Sequence, residues 1–302
     1  MLPKGFIPVT IDLYDDYKRY FDLTPQPTAD ISFSNLWGWA ENYGLGLSFR
    51  HGLCWICQTR PECRLWTPVG DWEHADLEAG LANAGVLYRV PERLAIIIRD
   101  RFAQRAEIAE DRGEWEYLYD RNELVSLPGA RFHKKKNHVN MFRKLYESEY
   151  RKMDDPRFPG IIDDVLRLQE QWCQWKDCEN SPSLHEENDA IFRIVGNWGR
   201  IPGLCGGALY ANGEVVAFSI GEKIQDMMII HFEKARTEYR GAYQAINQAF
   251  AQHSAEGVTL INREQDLGEL GLRQAKETYN PVGFLKKYRV VFGGQEGYDA
   301  FS

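Results

Sequence analysis

With 302 residues, 44% of them hydrophobic, and nine Trp, the chain can bury a core, which excludes a disordered protein and allows one large domain or two ordinary ones. Its longest apolar runs, residues 94–98 and 227–230, fall far short of the roughly 18 residues a membrane helix needs, and the N-terminal stretch, with early acids and no apolar run, does not read as an export signal. The net charge of −8 excludes a uniformly basic nucleic-acid binder, yet residues 131–152 hold eight Lys/Arg against two Glu and leave −14 for the rest, so this basic band is a candidate contact for an anionic partner.

In chain order, the first half reads as mixed α/β. Residues 11–21 predict a helix, 45–49 and 53–59 two strands joined at Arg50-His51-Gly52, and 73–84 a helix stopped near Gly85. Pro91 opens another helix, as a first-turn proline can, and residues 115–119 form a strand ahead of Leu127-Pro128-Gly129.

The second half is sharper. Ile161, Val165, Leu168 and Trp172 recur at helical spacing, and 189–198 predicts a second helix. Strands at 204–210 and 215–220 flank Asn212-Gly213, a strong hairpin signal. A strand at 227–232 precedes the stripe Ala242, Ala245, Ile246, Ala249 and Phe250, which marks an amphipathic helix. A strand at 258–261, a helix at 266–279 stopped near Asn280-Pro281 and a closing strand at 288–292 complete the chain.

Six Cys without an export signal predict reduced, structural thiols. Cys54 and Cys57 lie in one predicted strand, where positions three apart face opposite ways; Cys63 completes no second pair, and Cys173 and Cys178 form no metal pattern. His133 and His138 are five apart and do not share a helical face for a metal, so no metal site is assigned. His231, mid-strand, reads first as a satisfied core histidine.

Three stretches carry a resemblance. They are Phe33-Ser34-Asn35-Leu36-Trp37-x-Trp39; Tyr117-Leu118-Tyr119-Asp120 with the later Leu127-Pro128-Gly129-x-Arg131-x-His133-Lys134-Lys135-Lys136-Asn137-His138-x-Asn140-x-Phe142; and Asn262-Arg263-Glu264-x-Asp266-Leu267-Gly268-x-x-Gly271-Leu272-Arg273-x-Ala275-Lys276-x-x-Tyr279-x-Pro281. From about residue 24 to residue 294 the chain resembles a soluble bacterial family similar to the C-terminal catalytic domain of phosphatidylglycerol lysyltransferases and, more remotely, to the Fem aminoacyltransferases. It departs in Lys135-Lys136-Asn137, where the family's Lys-Arg-Asn would supply a planar bidentate donor. The resemblance implies an α+β fold of two tandem acetyltransferase-like domains with mixed sheets: a half at 1–130, a basic joining segment at 131–152 and a half at 153–302. It also implies a cytoplasmic transferase moving an acyl or aminoacyl group, from aminoacyl-tRNA or an acyl-CoA, to an amine or hydroxyl on a lipid or small molecule.

Such chemistry needs a cradle for donor phosphates, a base for the acceptor and stabilisation of an oxyanion. Glu264, just past a buried strand, is the candidate base. Arg273 and Lys276, one helical turn apart, are candidate clamps for a phosphate or carboxylate. Asp266 reads as a helix cap, with Glu269 completing the arrangement. Arg131, Lys134, Lys135, Lys136 and Asn137 are candidate anion contacts. Arg240, Gly241 and Ala242, opening a helix, are candidate donor contacts. Acetyl-CoA enzymes show Gln/Arg-x-x-Gly-x-Gly/Ala at that turn; here the register from Arg236 puts Tyr239 at the first Gly, and the register from Glu238 starts acidic and ends in Tyr243. Each candidate has a plainer reading: an ordinary helix start, a solvated helix face for Arg273 and Lys276, and a solvated linking helix for the basic band. At the level of the chain, a non-catalytic anion-binding protein and an acetyl-CoA-dependent N-acetyltransferase stay open beside the aminoacyltransferase.

Overall fold

The computed structural model describes residues 1–82 and 84–293, and it divides into two compact units. The first comprises Met1–Glu116, Gln265–Glu269 and the closing segment from Leu285; the second comprises Tyr117–Glu264 and Leu270–Phe284. Residues 294–302, which the sequence reading placed in the second half, lie outside the described residues, as does Asn83 of the expected 73–84 helix.

In the first unit the sheet runs Ile7–Pro8, Gly46–Arg50, Leu53–Gln58, Arg64–Trp66, Val86–Pro91, Lys287–Phe292, Ala106–Glu110, with Val69–Gly70 paired to Leu53–Gln58. Its pairings are antiparallel except Arg64–Trp66 with Val86–Pro91, so the sheet is mixed. Helix Glu92–Phe102 follows Pro91 and turns Leu94, Ala95, Ile97 and Ile98 onto a core that includes Trp55 and Trp72; each fully buried aliphatic side chain there contributes roughly 1.5–3 kcal/mol. The expected 73–84 helix contracts to Leu77–Leu81, because Asp76 caps it by accepting from the Ala79 amide at 3.0 Å.

The closing strand has a buried ionic anchor that no sequence pattern announced. Lys287 Nζ, fully buried, donates to Asp30 Oδ2 and, at 2.8 Å, contacts Glu116 Oε1, while Arg89 Nη1 donates to Asp30 Oδ1 at 2.8 Å. Burial alone would raise the Asp30 pKa; the charges of Lys287 and Arg89 outweigh it and hold the carboxyl below its ordinary value. The expected boundaries, 1–130 and 153–302, therefore differ from the compact units. The last strand belongs to the first unit's sheet, whereas Glu116–Asp120 and the basic segment contribute to the second.

The second unit's sheet runs Gly283–Leu285, Glu116–Asp120, Leu260–Asn262, Met227–Ala235, Glu214–Ile224, Leu204–Ala211, Ser148–Lys152. Met227–Ala235 and Leu260–Asn262 pair in parallel, and the pairings from Glu116–Asp120 with Leu260–Asn262 and from Met227–Ala235 out to Ser148–Lys152 are antiparallel. The predicted hairpin closes with Ala211 opposite Glu214 across Asn212 and Gly213, both at positive φ, 53° and 87°. Helix Ala242–His253 buries the predicted stripe and packs on helix His133–Leu145, which buries Val139 and Phe142. Helix Ile161–Lys176 buries Ile161, Val165, Leu168 and Trp172 as its spacing required. The next helix begins at Pro182, seven residues before the expected 189, because its first turns are polar and a first-position proline starts it.

Two expectations are corrected here. The thiols were expected to be reduced throughout; Cys173 and Cys178 are instead joined in a disulfide across the end of helix Ile161–Lys176, with Cα atoms 5.1 Å apart. The helix expected from 266 begins at Leu270. Leu267 and Gly268 take positive φ, 53° and 78°, a conformation no α-helix accommodates, so this segment is a turn.

Candidate functional site

The parallel pair at the centre of the second sheet sets the site. In open α/β sheets, ligands collect beyond the carboxyl ends of such strands, and Glu264 stands two residues past Leu260–Asn262. Its backbone is left-handed, φ 56°, which costs a non-glycine residue about 1–2 kcal/mol. Asn262, fully buried, holds it there: Asn262 Oδ1 accepts from the Glu264 amide at 2.8 Å, and the Glu264 carbonyl accepts from the Tyr117 amide at 3.2 Å.

The neighbouring strand supplies Glu264 with a partner. Between Met227–Ala235 and Glu214–Ile224 the register slips, Ile220 facing Phe232 and Gly221 facing Ile230, so His231 is the extra residue of a β-bulge. Its ring lies between two carboxylates, Nδ1 2.8 Å from Glu264 Oε1 and Nε2 3.4 Å from Glu222 Oε2. Burial would push the imidazole pKa down. The hydrogen bonds to Glu222 and Glu264, with their charges, outweigh it and raise the pKa from 6.5 to about 9. Both ring nitrogens therefore donate at neutral pH, one towards each carboxylate. The side chains of His231 and Glu222 are 0% and 8% exposed, whereas Glu264 is 21% exposed, which makes it the member that a substrate can reach.

Lys276, a candidate clamp whose plainer reading was a solvated helix face, is buried. Its Nζ donates to the Arg263 carbonyl at 2.5 Å, one residue from Glu264, and its carbonyl accepts from the Tyr119 hydroxyl at 2.9 Å. Arg273 is half-buried three residues earlier on helix Leu270–Glu277, on the face that carries Lys276. Asp266 lies four residues before the first residue of that helix. It is fully buried in the preceding turn, its Oδ1 accepting from the Gly268 amide at 2.9 Å and its Oδ2 from Arg112 at 3.1 Å.

Of the basic band, Lys134, Lys136 and Asn137 are exposed, with Asn137 Nδ2 3.4 Å from His133 Nδ1. Lys135 is half-buried with its ammonium 4.1 Å from the centre of the Tyr279 ring, and Arg131 is ion-paired to Glu123. At the start of helix Ala242–His253, Arg240 is exposed with its amide donating to the Tyr146 hydroxyl at 3.3 Å. Gly241 has φ 88°, and a Cβ there would stand 2.4 Å from the His138 carbonyl oxygen, so glycine is required by the close approach of the basic helix. The buried Ala242 amide already donates to the Tyr239 carbonyl at 3.0 Å.

The sequence reading missed Glu222 and Arg263 and placed His231 in the core without its partners. Glu222, His231 and Glu264 share no spacing, and only the bulge brings them together. Arg263 is half-buried against Glu233 at 3.1 Å and lies 4.8 Å from the centre of the Tyr279 ring.

The profile described as "Phosphatidylglycerol lysyltransferase, C-terminal" matches residues 21–291. The chain belongs to this family. Across 96% of its length it is similar to all of a conserved protein of unknown function from Bacteroides thetaiotaomicron, at 30% identity and a TM-score of 0.85. The phosphatidylglycerol lysyltransferase fold recurs in L-PGS from Bacillus licheniformis, at 12% identity and a TM-score of 0.66, over 98% of this chain and 95% of that one. An uncharacterised protein of Mycoplasmoides gallisepticum is 28% identical over 177 residues, which cover 58% of this chain and 55% of that protein. Among the described residues no helix is long and apolar enough to cross a membrane.

Proposed function

We propose that the second unit is an aminoacyltransferase centre in which Glu264 is the general base. The observation that carries this reading is the Glu222–His231–Glu264 trio: a buried, charged imidazole pinned by one buried carboxylate orients a second carboxylate that reaches solvent. In the proposed reaction, an acceptor amine or hydroxyl attacks the ester carbonyl of an aminoacyl donor, and Glu264 takes the acceptor's proton as the new bond forms. When the tetrahedral intermediate collapses, the ester C–O bond breaks and the proton passes to the departing hydroxyl. His231 holds Glu264 in position throughout, before and after it takes the proton. Lys276 and Arg273 are the cations assigned to the oxyanion or to an anionic group of the substrate.

Family membership supports the aminoacyl class; the reading adds aminoacyl-tRNA as donor, a lipid or small molecule as acceptor and the cytoplasm as the place of action. Arg131, Lys134, Lys135, Lys136, Asn137 and Arg240 are assigned to the anionic donor. The approach of His138 to Gly241 and the bonded Ala242 amide argue against the helix-start pyrophosphate cradle that acetyl-CoA would use. The test is transfer of a radiolabelled aminoacyl group from a tRNA pool to a panel of lipids and amines by the purified chain. Label in any acceptor, dependent on the protein, supports the reading. Hydrolysis and transfer both at the uncatalysed rate, across all aminoacyl-tRNAs and acceptors, would sink it.

A further inference from the structure

The second unit carries a cavity of about 340 Å³ at its outer edge, where strand Ser148–Lys152 ends and the chain turns towards helix Ile161–Lys176. Three strands, Leu204–Ala211, Glu214–Ile224 and Met227–Ala235, stand between that edge and Leu260–Asn262. At about 4.8 Å per strand, the cavity lies roughly 19 Å across the sheet from the strand that leads to Glu264. One wall is a pair of stacked rings. His253, the last residue of helix Ala242–His253, lies on Tyr150 with ring centres 5.3 Å apart and planes 23° from parallel. Tyr150 is pinned from behind. Its hydroxyl shares a hydrogen bond of 2.7 Å with Ser254 Oγ, and Gly207 leaves it room, since a Cβ there would overlap the hydroxyl. His253 itself is exposed, so the outer side of the stack stays open. Phe158, half-buried in the turn after the strand, brings a third ring to the lining.

The charges of the lining are unevenly satisfied. Asp155 is engaged by Arg157, whose Nε reaches its two oxygens at 3.0 and 3.1 Å and whose Nη2 donates to Oδ2 at 2.6 Å. Glu149 accepts from Arg151 at 2.8 Å. Lys152 is the cation left over: among the described residues no carboxylate comes within ion-pair distance of its ammonium. The field is positive at the stacked rings as well. Burial, and then the charges of Lys152 and Arg143, lower the His253 pKa, with Glu256 alone opposing them. The imidazole is therefore neutral at pH 7 and stacks as an uncharged plate.

These features select a ligand. One surplus ammonium is balanced by one negative charge, which suits a carboxylate; a phosphate dianion would bring excess charge close to Glu149 and Asp155. Open aromatic faces favour a flat ring, stacked with an offset, over an aliphatic body of the same size. The volume is at the low end for small-molecule sites, which limits the ligand to one or two fused rings.

We infer that this cavity is a binding site for a small aromatic carboxylate, with the ring stacked on His253 and the carboxylate on Lys152. The site is separate from the Glu264 centre and does not depend on the reaction assigned there.

The experiment is calorimetric titration of the full chain at low salt with naphthoate, and with two matched probes: naphthamide, which lacks the charge, and decahydronaphthoate, which lacks the plane. The wild type saturates with naphthoate and binds each of the other two about fivefold or more weakly. Lys152→Met loses about tenfold in affinity for naphthoate, the scale of one charge-assisted hydrogen bond, and Lys152→Arg keeps most of it. His253→Ala loses about fivefold or more, whereas His253→Phe, which restores the plate, binds within about twofold of wild type. Glu264→Gln binds naphthoate as the wild type does. Both altered side chains are exposed, so the variants fold, which circular dichroism checks. A wild type that does not saturate with naphthoate overturns the assignment. So does a Lys152→Met that binds like wild type, or a decahydronaphthoate that binds as tightly as naphthoate. A loss of binding in Glu264→Gln would place the ligand in the Glu264 centre instead.

Discussion

Replacing His231 with Gln tests the electrostatics on which the site stands. The imidazole pKa is raised from 6.5 to about 9 in the folded chain. At about 1.36 kcal/mol per unit, the charged His231 contributes about 3 kcal/mol to folding. Because the folded value is the higher one, this contribution is fully present below about pH 6.5. It declines as pH rises and is lost once pH passes about 9. His231→Gln removes the cation and leaves Glu222 and Glu264 with a neutral residue between them, so near pH 6 the variant unfolds with a penalty of about 3–5 kcal/mol. The assay is urea denaturation of wild type and His231→Gln from pH 6 to pH 9.5. The difference between them shrinks by about 3 kcal/mol across the window. Two curves that stay parallel from pH 6 to pH 9.5 would refute the charged imidazole and with it the role given to Glu222.

Three further perturbations follow from the geometry. Gly241→Ala forces a Cβ to within 2.4 Å of the His138 carbonyl oxygen at a left-handed φ, and it lowers stability by about 2–4 kcal/mol in thermal melting; a shift within about a degree would mean the helices separate freely. Asp266→Asn takes the charge from a fully buried carboxylate that pairs with Arg112, and it costs about 2–4 kcal/mol by urea midpoint, where a helix cap would cost about 0.5–2. Lys287→Met strips the buried cation from Asp30 and Glu116 and costs about 3–5 kcal/mol; adding Asp30→Asn recovers part of it, and a double variant no more stable than Lys287→Met would remove Lys287 as the partner of Asp30.

Much of the second unit was legible because its signals are local. The Asn212-Gly213 turn, the stripe from Ala242 to Phe250 and the spacing of Ile161, Val165, Leu168 and Trp172 all became the elements they announced. Glu264 was legible as a carboxylate after a buried strand. What escaped is non-local. His231 acquires its two carboxylates through a one-residue slip between strands, and a slip leaves no mark on period-2 patterning. Lys287 closes a buried network with Asp30, 257 positions away, and carries its strand into the first unit's sheet. The turn at 265–269 read as a helix start because Asp266 and Glu269 have capping spacing. The left-handed Leu267 that breaks it belongs to a residue type with no preference for that conformation. Lys276 was legible as a candidate clamp, but not its burial, since lysines are mostly exposed; the Arg263 carbonyl holds its ammonium inside.

The most direct measurement of the central claim is the single-turnover rate of aminoacyl transfer, at saturating acceptor, by wild type and Glu264→Gln. The amide keeps the shape and a hydrogen bond to His231 but cannot take a proton. The account predicts a fall of about 10²–10⁴-fold in the chemical step with donor binding unchanged. A Glu264→Gln protein that transfers at the wild-type rate would contradict it and leave Glu264 a structural partner of His231.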